Sequence, residues 1–148
     1  MSTLFSRQCE YALQAVTDGA RETSGPWTSI RYLSERLRAP YHFLGKILQD
    51  LVHKGILRSR KGHDRGFALA RPASHMTLSD VVAAIDGMSY KDQCIMGFSE
   101  CSARHPCAIH EQWEESRTEL HDLLSKRSIA EAAKGMHTPE FTPASGIL

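Results

Sequence analysis

The sequence holds no apolar run near the roughly 18 residues that a membrane-spanning helix needs, so no membrane partner is expected. Its first ten residues turn charged before any signal-like apolar stretch develops, which points to a cytoplasmic protein. Four cysteines in 148 residues are too few for a disulfide scaffold. There is no C-x2-C or H-x3-H pair of the kind that builds a zinc knuckle, no H-x-E…P-C-x-x-C deaminase pattern despite Pro106-Cys107, and no C-x-x-C-H haem attachment step. Internal repeats and low-complexity tracts are also missing. No nucleophile–base pair is recognisable, so an enzyme is not expected. Neither sign of charge dominates: the net charge is +1, which on its face argues against nucleic acid. At 41% hydrophobic and 24% charged, the composition is that of a globular chain, one domain or a small domain with an appendage.

What is present is helical periodicity. Phe5, Cys9, Ala12, Leu13, Val16 and Ala20 recur at three- and four-residue spacing, giving a first helix over residues 4–22 with one apolar stripe. Cys9 falls on that stripe and reads as core. Ser24-Gly25-Pro26 breaks the helix. A second helix starts at Thr28 or Ser29, either of which can cap it, and buries Ile30, Leu33 and Leu37. Pro40 suits the first turn of a third helix, which buries Phe43, Leu44, Ile47, Leu48, Leu51 and Val52 and ends at Gly55. The period then changes. Residues 56–60 and 67–70 read as two strands around a turn with Gly62 and Gly66. Thr77 and Asp80 open a fourth helix as a capping pair, and Gly87 stops it. Residues 88–106 show little periodicity, and a long helix is expected over 108–134.

These elements predict a mainly α fold: a winged helix-turn-helix with a two-stranded β wing and a long C-terminal helix. The predicted division is a winged helix-turn-helix domain over 1–87, a cysteine-rich loop over 88–107, a long helix over 108–134 and a flexible tail over 135–148.

The balanced charge hides an asymmetry. Residues 28–71 hold ten Lys and Arg against Glu35, Asp50 and Asp64, a local charge of +7 that leaves −6 for the rest of the chain. Phosphate neutralisation by such cations supplies most non-specific DNA affinity. A helix-turn-helix places its second helix in the major groove. The outer face of the third helix offers Lys46 and Gln49 for base edges, with Tyr41 and His42 at its leading end near bases or phosphates. In the wing, Arg60, Lys61 and Arg65 can reach a phosphate or the minor groove. Charge alone fits a solvated basic surface equally well; the hairpin directly after a helix with a polar leading end points to DNA.

A second constellation follows. The spacing Cys94-x6-Cys101-x5-Cys107-x2-His110 puts three thiols on one loop. Three thiolates can converge on a soft metal centre, with a fourth ligand completing it. Wide spacing of single cysteines suits an iron–sulfur cluster. Zinc, a metal-free thiol–disulfide switch and unrelated loop thiols are the alternatives.

Several ordered motifs accompany these features: Tyr11-Ala12-Leu13, Phe43-Leu44, Lys54-Gly55-Ile56-Leu57, Arg60-Lys61-Gly62 followed by Gly66-Phe67-Ala68-Leu69-Ala70-Arg71-Pro72, and Thr77-Leu78 with Ile85-Asp86-Gly87. Together with the three cysteines, and over residues 1–134, the set resembles the Rrf-two family of bacterial transcription regulators, which includes the IscR and NsrR types. The resemblance implies a homodimer held by the long C-terminal helices, a double-stranded DNA operator, and an iron–sulfur cluster (2Fe–2S or 4Fe–4S) whose state sets DNA affinity. It implies two candidates for the fourth ligand. His110 matches the C-x2-H step of IscR-like members and is favoured, since it shares the loop-to-helix junction with Cys107. Glu10 of the partner subunit aligns with the acid of NsrR-like members. Two departures stand out. The first cysteine interval is six residues, where IscR-like members usually have five. Gly45 stands where they carry a glutamate that tunes DNA sequence choice, so operator preference does not carry over.

Overall fold

The computed structural model describes residues 4–21, 25–62 and 66–135. The chain runs through α1 (Arg7–Arg21), α2 (Ile30–Leu37), α3 (Tyr41–His53), β1 (Leu57–Arg60), β2 (Gly66–Leu69), α4 (Leu78–Ile85), α5 (His110–Lys126) and α6 (Ile129–Lys134). This is the mainly helical winged helix-turn-helix that the periodicity predicts. No helix among the described residues is long and apolar enough to cross a membrane.

Helix α1 is the hub. It is buried on more than the single stripe its spacing suggests: Tyr11 and Ala15 join Cys9, Ala12 and Val16 at no more than 3% exposure. The reason is that α1 packs against α2, α3, α4 and α6, so several of its faces need apolar cover. Tyr11 meets Phe43 edge-on, with ring centroids 5.8 Å apart. At the far end the buried Asp18 accepts from Arg36 Nε at 2.6 Å. A buried carboxylate is tolerated only when paired, and Arg36 supplies that pairing for α1. At the near end Ser6 caps α1 by accepting the Cys9 N–H at 3.1 Å. The Ser6 N–H donates to Asp86 Oδ2 at 2.7 Å, and its hydroxyl donates to Asp86 Oδ1.

Ser29 caps α2 by accepting the Tyr32 N–H. The turn to α3 passes through Arg38 in the left-handed region, at φ 52°. Pro40 occupies the N-cap of α3, one residue ahead of the first-turn place its sequence position suggests. Gly55, at φ 77°, ends α3 as expected. The strands pair antiparallel with Leu57 opposite Leu69 and Arg60 opposite Gly66. A third segment joins them: Thr28 and Phe67 exchange backbone hydrogen bonds of 2.9 and 2.8 Å. Gly66 permits that approach, because a Cβ there would stand 3.1 Å from the Thr28 carbonyl oxygen. Thr77 and Asp80 form the predicted capping box of α4.

The single helix expected over 108–134 is instead two. α5 stops at Lys126. Arg127 and Ser128 are extended, and Ser128 caps α6 by accepting the Glu131 N–H at 3.1 Å. The turn is pinned to the segment before α4: Ile129 N–H donates to the Met76 carbonyl at 2.7 Å and Leu78 N–H to the Arg127 carbonyl at 3.2 Å. Ile129 is fully buried in the main core and Ala133 is 7% exposed, with α6 lying on α1. Burying Ile129 outweighs extending a straight helix into solvent. α5 itself buries only Leu124 and leaves Leu123 54% exposed. The predicted tail lies outside the described residues apart from Gly135.

Ile129→Ala is expected to cost about 2–5 kcal/mol of unfolding free energy, read from urea denaturation. A loss below about 1 kcal/mol, the scale of a surface position, would show that α6 is not part of the core.

Candidate metal centre and nucleic-acid interface

The loop after α4 starts from a fixed point. Gly87, at φ 71°, turns the chain out of α4. Tyr90 then packs with Cys9, Val82 and Leu124 in a small second core, its ring edge-on to Phe5 and its hydroxyl 3.0 Å from His121 Nδ1 on α5. Burial raises the Tyr90 pKa. Three residues on, α5 holds the backbone: the Gln93 carbonyl accepts from Trp113 Nε1 at 2.8 Å and from Arg117 Nη1 at 3.3 Å. Cys94 follows directly.

Among the described residues, the Sγ atoms of Cys94, Cys101 and Cys107 lie within 4.8 Å of one another. Cys94 and Cys107 are 3.7 Å apart. His110, the first residue of α5, brings Nδ1 to 3.2 Å from Cys101 Sγ, while its Nε2 is 4.0 Å from Glu114. The predicted set Cys94, Cys101, Cys107 and His110 is therefore brought together. Two thiolates on one metal with bonds of about 2.3 Å stand about 3.8 Å apart at tetrahedral angles. Three thiols and an imidazole at such spacing fit a soft metal centre. Glu10 is not in this group within one protomer. It stands on α1 with Oε2 out of solvent and without a hydrogen-bond partner.

The thiols are unequal. Desolvation raises the Cys94 pKa, but hydrogen bonds from the Phe98 and Met96 backbone, and from Cys101 and Cys107, outweigh it and bring it down to about 7. At Cys101 a backbone hydrogen bond from Cys107 lowers the pKa, yet desolvation and the neighbouring Cys107 and Cys94 sulfurs leave it raised. Cys9 is different in kind: burial, then the charges of Asp86 and Glu10, push its thiol up to about 12. Around the cluster Ile95, Met96, Phe98 and Ile109 are all exposed. A cleft of about 620 Å³ opens beside it, lined by Met96, Phe98, Cys101, His105 and Cys107 among others.

On the opposite end of the sequence's functional span, Tyr41, His42, Lys46 and Gln49 all lie exposed on one side of α3. Tyr41 and His42 meet edge-on at 5.4 Å. Arg60 and Lys61 are exposed at the tip end of β1, and Arg65 lies outside the described residues. Two residues escaped the sequence reading. Trp27 has both Arg58 and Arg60 over its ring, at 5.0 and 4.8 Å from the centroid. The available signal was the i, i+2 repeat of arginine on one face of β1. Two cations of the basic segment are diverted to structure: Arg36 pairs with Asp18, and Arg71 Nη2 lies 3.7 Å from Asp80.

Comparison with known proteins agrees with this architecture. Residues 5–135 match the Rrf2 profile, described as iron-dependent transcriptional regulator. A protein of Aquifex aeolicus, named for an HTH-type transcriptional regulator, is 29% identical over 129 residues, 85% of this chain and 88% of its own length. The HTH-type transcriptional regulator IscR of Vibrio atlanticus is 23% identical over 137 residues, 93% of this chain and 79% of that protein. Among solved structures, CymR, the global cysteine regulator of B. subtilis, superposes with a TM-score of 0.75 at 18% identity, covering 93% of this chain and all of the other. These relatives are transcriptional regulators and not enzymes.

In metal-free protein at pH 7, Cys94 should be the first thiol to react with iodoacetamide, since about half of it is thiolate there. Its rate should fall as pH drops below about 7 and the thiolate takes up a proton. Cys9 should stay unmodified until the chain unfolds. Peptide mass mapping checks the order; equal rates at all three loop cysteines would refute the assigned environments.

Proposed function

The chain belongs to the Rrf2 family of transcriptional regulators, and on that premise we propose that an iron–sulfur cluster, held by Cys94, Cys101, Cys107 and His110, sets its affinity for a double-stranded DNA operator. The observation that carries this reading is the gathering of three thiols within 4.8 Å with the His110 imidazole against one of them. Bound there, a cluster supplies a centre that oxygen and nitric oxide attack and that iron shortage withholds. The chain's own residues make the connection to DNA. Trp113 and Arg117 fix the Gln93 carbonyl, so the loop and α5 are one mechanical unit. Asp86 binds Ser6, so the start of the loop is tied to α1 and through it to α3.

On the DNA side, Lys46 and Gln49 bond base edges in the major groove. Tyr41 and His42 meet the leading bases or phosphates. Arg60, Lys61 and Arg65 carry the wing to a phosphate or the minor groove. The protein acts as a homodimer, with two α3 helices in successive major grooves and the exposed flank of α5 as the meeting surface. Glu10 of the partner subunit is the alternative fourth ligand, and its unpartnered Oε2 supports keeping it. The setting is the cytoplasm.

A second reading rests on the 3.7 Å approach of Cys94 and Cys107. In a metal-free switch, the Cys94 thiolate attacks an oxidant such as peroxide, taking one oxygen as a sulfenic acid and releasing hydroxide, and the Cys107 thiol then displaces that oxygen as water while the S–S bond forms.

Anaerobic purification decides between them. The cluster reading expects coloured protein with bound iron and acid-labile sulfide, both lost in Cys101→Ser together with signal-dependent control of DNA binding. Colourless protein holding one zinc per chain overturns it. Full oxidant control in iron-free protein, with a Cys94–Cys107 cross-link found by peptide mass, favours the switch. Independently, Gln49→Ala should lower discrimination between operator and altered operator by about 1–3 kcal/mol while leaving affinity for unrelated duplex unchanged.

A further inference from the structure

We infer that the cleft between the turn Ser89–Lys91 and helix α5 is a binding site for a small anion with two or more oxygens, held by Lys91 and Arg117, and that an anion there braces the start of the cysteine loop. The site is separate from the thiols and from the DNA-facing surface. It stands whether the thiols hold a cluster or switch as a disulfide.

The cleft has a volume of about 190 Å³ and is lined by Lys91, Glu114, Arg117, Thr118 and His121. Lys91 closes a one-turn 3-10 helix, Ser89–Lys91. At 3.6 residues per turn, the other four form one stripe of α5. The exposed Leu123 falls on the opposite side of the helix, so the cleft stays clear of the proposed meeting surface. The walls are fixed by bonds of their own. His121 commits both ring nitrogens to the protein, Nδ1 at 3.0 Å from the Tyr90 hydroxyl and Nε2 at 3.3 Å from Ser125 Oγ. The Thr118 hydroxyl donates to the Glu114 carbonyl at 3.0 Å.

Charge is what the lining leaves unbalanced. Arg117 donates through Nη1 to the Gln93 carbonyl at 3.3 Å, and its Nε is shut off from water without a partner. Among the described residues, neither Arg117 nor Lys91 has a carboxylate in ion-pair range. Glu114, the one acid of the lining, brings Oε2 to 4.0 Å from His110 Nε2 instead. A guanidinium drawn partly out of water without a counter-charge is unfavourable, and an anion in the cleft removes that deficit. The arginine fork matches carboxylate and phosphate geometry alike, and the lysine ammonium adds a movable point charge. The volume lies below the roughly 300 Å³ at which pockets for drug-sized ligands begin, so the ligand is small: a phosphate or a short dicarboxylate. Its place gives it a consequence. Lys91 stands two residues before Gln93, whose carbonyl Arg117 already holds. An anion gripped by both cations ties the turn to α5 just ahead of Cys94.

The experiment titrates the full chain by isothermal calorimetry with sodium phosphate and, separately, sodium succinate, each against a fixed chloride background. One saturable site per chain is expected for at least one of them. Phosphate alone points to a phosphate-bearing ligand, succinate alone to a dicarboxylate, and both to recognition of oxyanion charge. Lys91→Ala and Arg117→Lys should each weaken binding about tenfold or more, the loss of one charge-assisted contact. Glu114→Gln should tighten it about two- to fivefold by removing the opposing charge. Lys126→Ala, on α5 but outside the cleft, should bind as wild type. Amide hydrogen exchange over residues 91–97 should slow when the anion is bound. No saturable binding of either anion, or an equal loss in Lys126→Ala, overturns the site. Binding without slowed exchange overturns the bracing. Lys91 is exposed, so Lys91→Ala keeps the test valid if Arg117→Lys unfolds.

Discussion

The fold depends on one constraint: α1 must be covered on several sides at once. A helix with a single apolar stripe can sit on a bundle's edge, but Tyr11, Ala12, Ala15 and Val16 are all out of water, and Asp18 is buried with them. Covering them takes α2 and α3 from the helix-turn-helix, α4 from the segment before the cysteine loop, and α6 from the C-terminus. The buried Asp18–Arg36 pair adds direction to what hydrophobic burial leaves unspecified, because a buried charge without its partner is strongly unfavourable. The angle of α2 against α1, and hence that of α3, is tied to this contact.

The same helix joins the two functional regions. Its N-terminus is held by Asp86, the last residue before the turn into the cysteine loop, and its middle packs under α3 through Tyr11 and Phe43. Cys9 sits between, with a thiol made inert by burial and by Asp86. The chain thus contains one cysteine whose chemistry is suppressed and three whose chemistry is exposed, and the difference comes from the surroundings and not from the residue type.

Much of this was legible in the sequence, and the boundary is physical. The capping box at Thr77, the stop at Gly55, the strand pair and the convergence of Cys94, Cys101, Cys107 and His110 all rest on local signals: a side chain one turn away, a glycine in a left-handed position, short loop spacings. The two-sided burial of α1 and the break at Ser128 rest on distant partners. Ser128-Ile129-Ala130-Glu131 carried a capping motif, but Ile129 continues the interrupted apolar side of Leu120, Leu123 and Leu124, which masked it. The burial of Ile129 and the backbone bonds to Met76 and from Leu78 make the break favourable. The contact of Trp27 with Arg58 and Arg60 was invisible for a similar reason: it follows from Thr28 joining the sheet, and nothing near residue 27 announces an isolated bridge.

The turn at Arg127 and Ser128 also determines what kind of rod α5 is. Its leading end is clamped through Trp113 and Arg117 to the loop, and its trailing end is pulled back to the core by Ile129. A beam hinged at one end swings; a beam held at both ends can only roll about its long axis or slide along it. Any partner lying on α5 would register a change at the cysteines as a twist or a shift in register, transmitted along the whole span, and not as an opening at the tip.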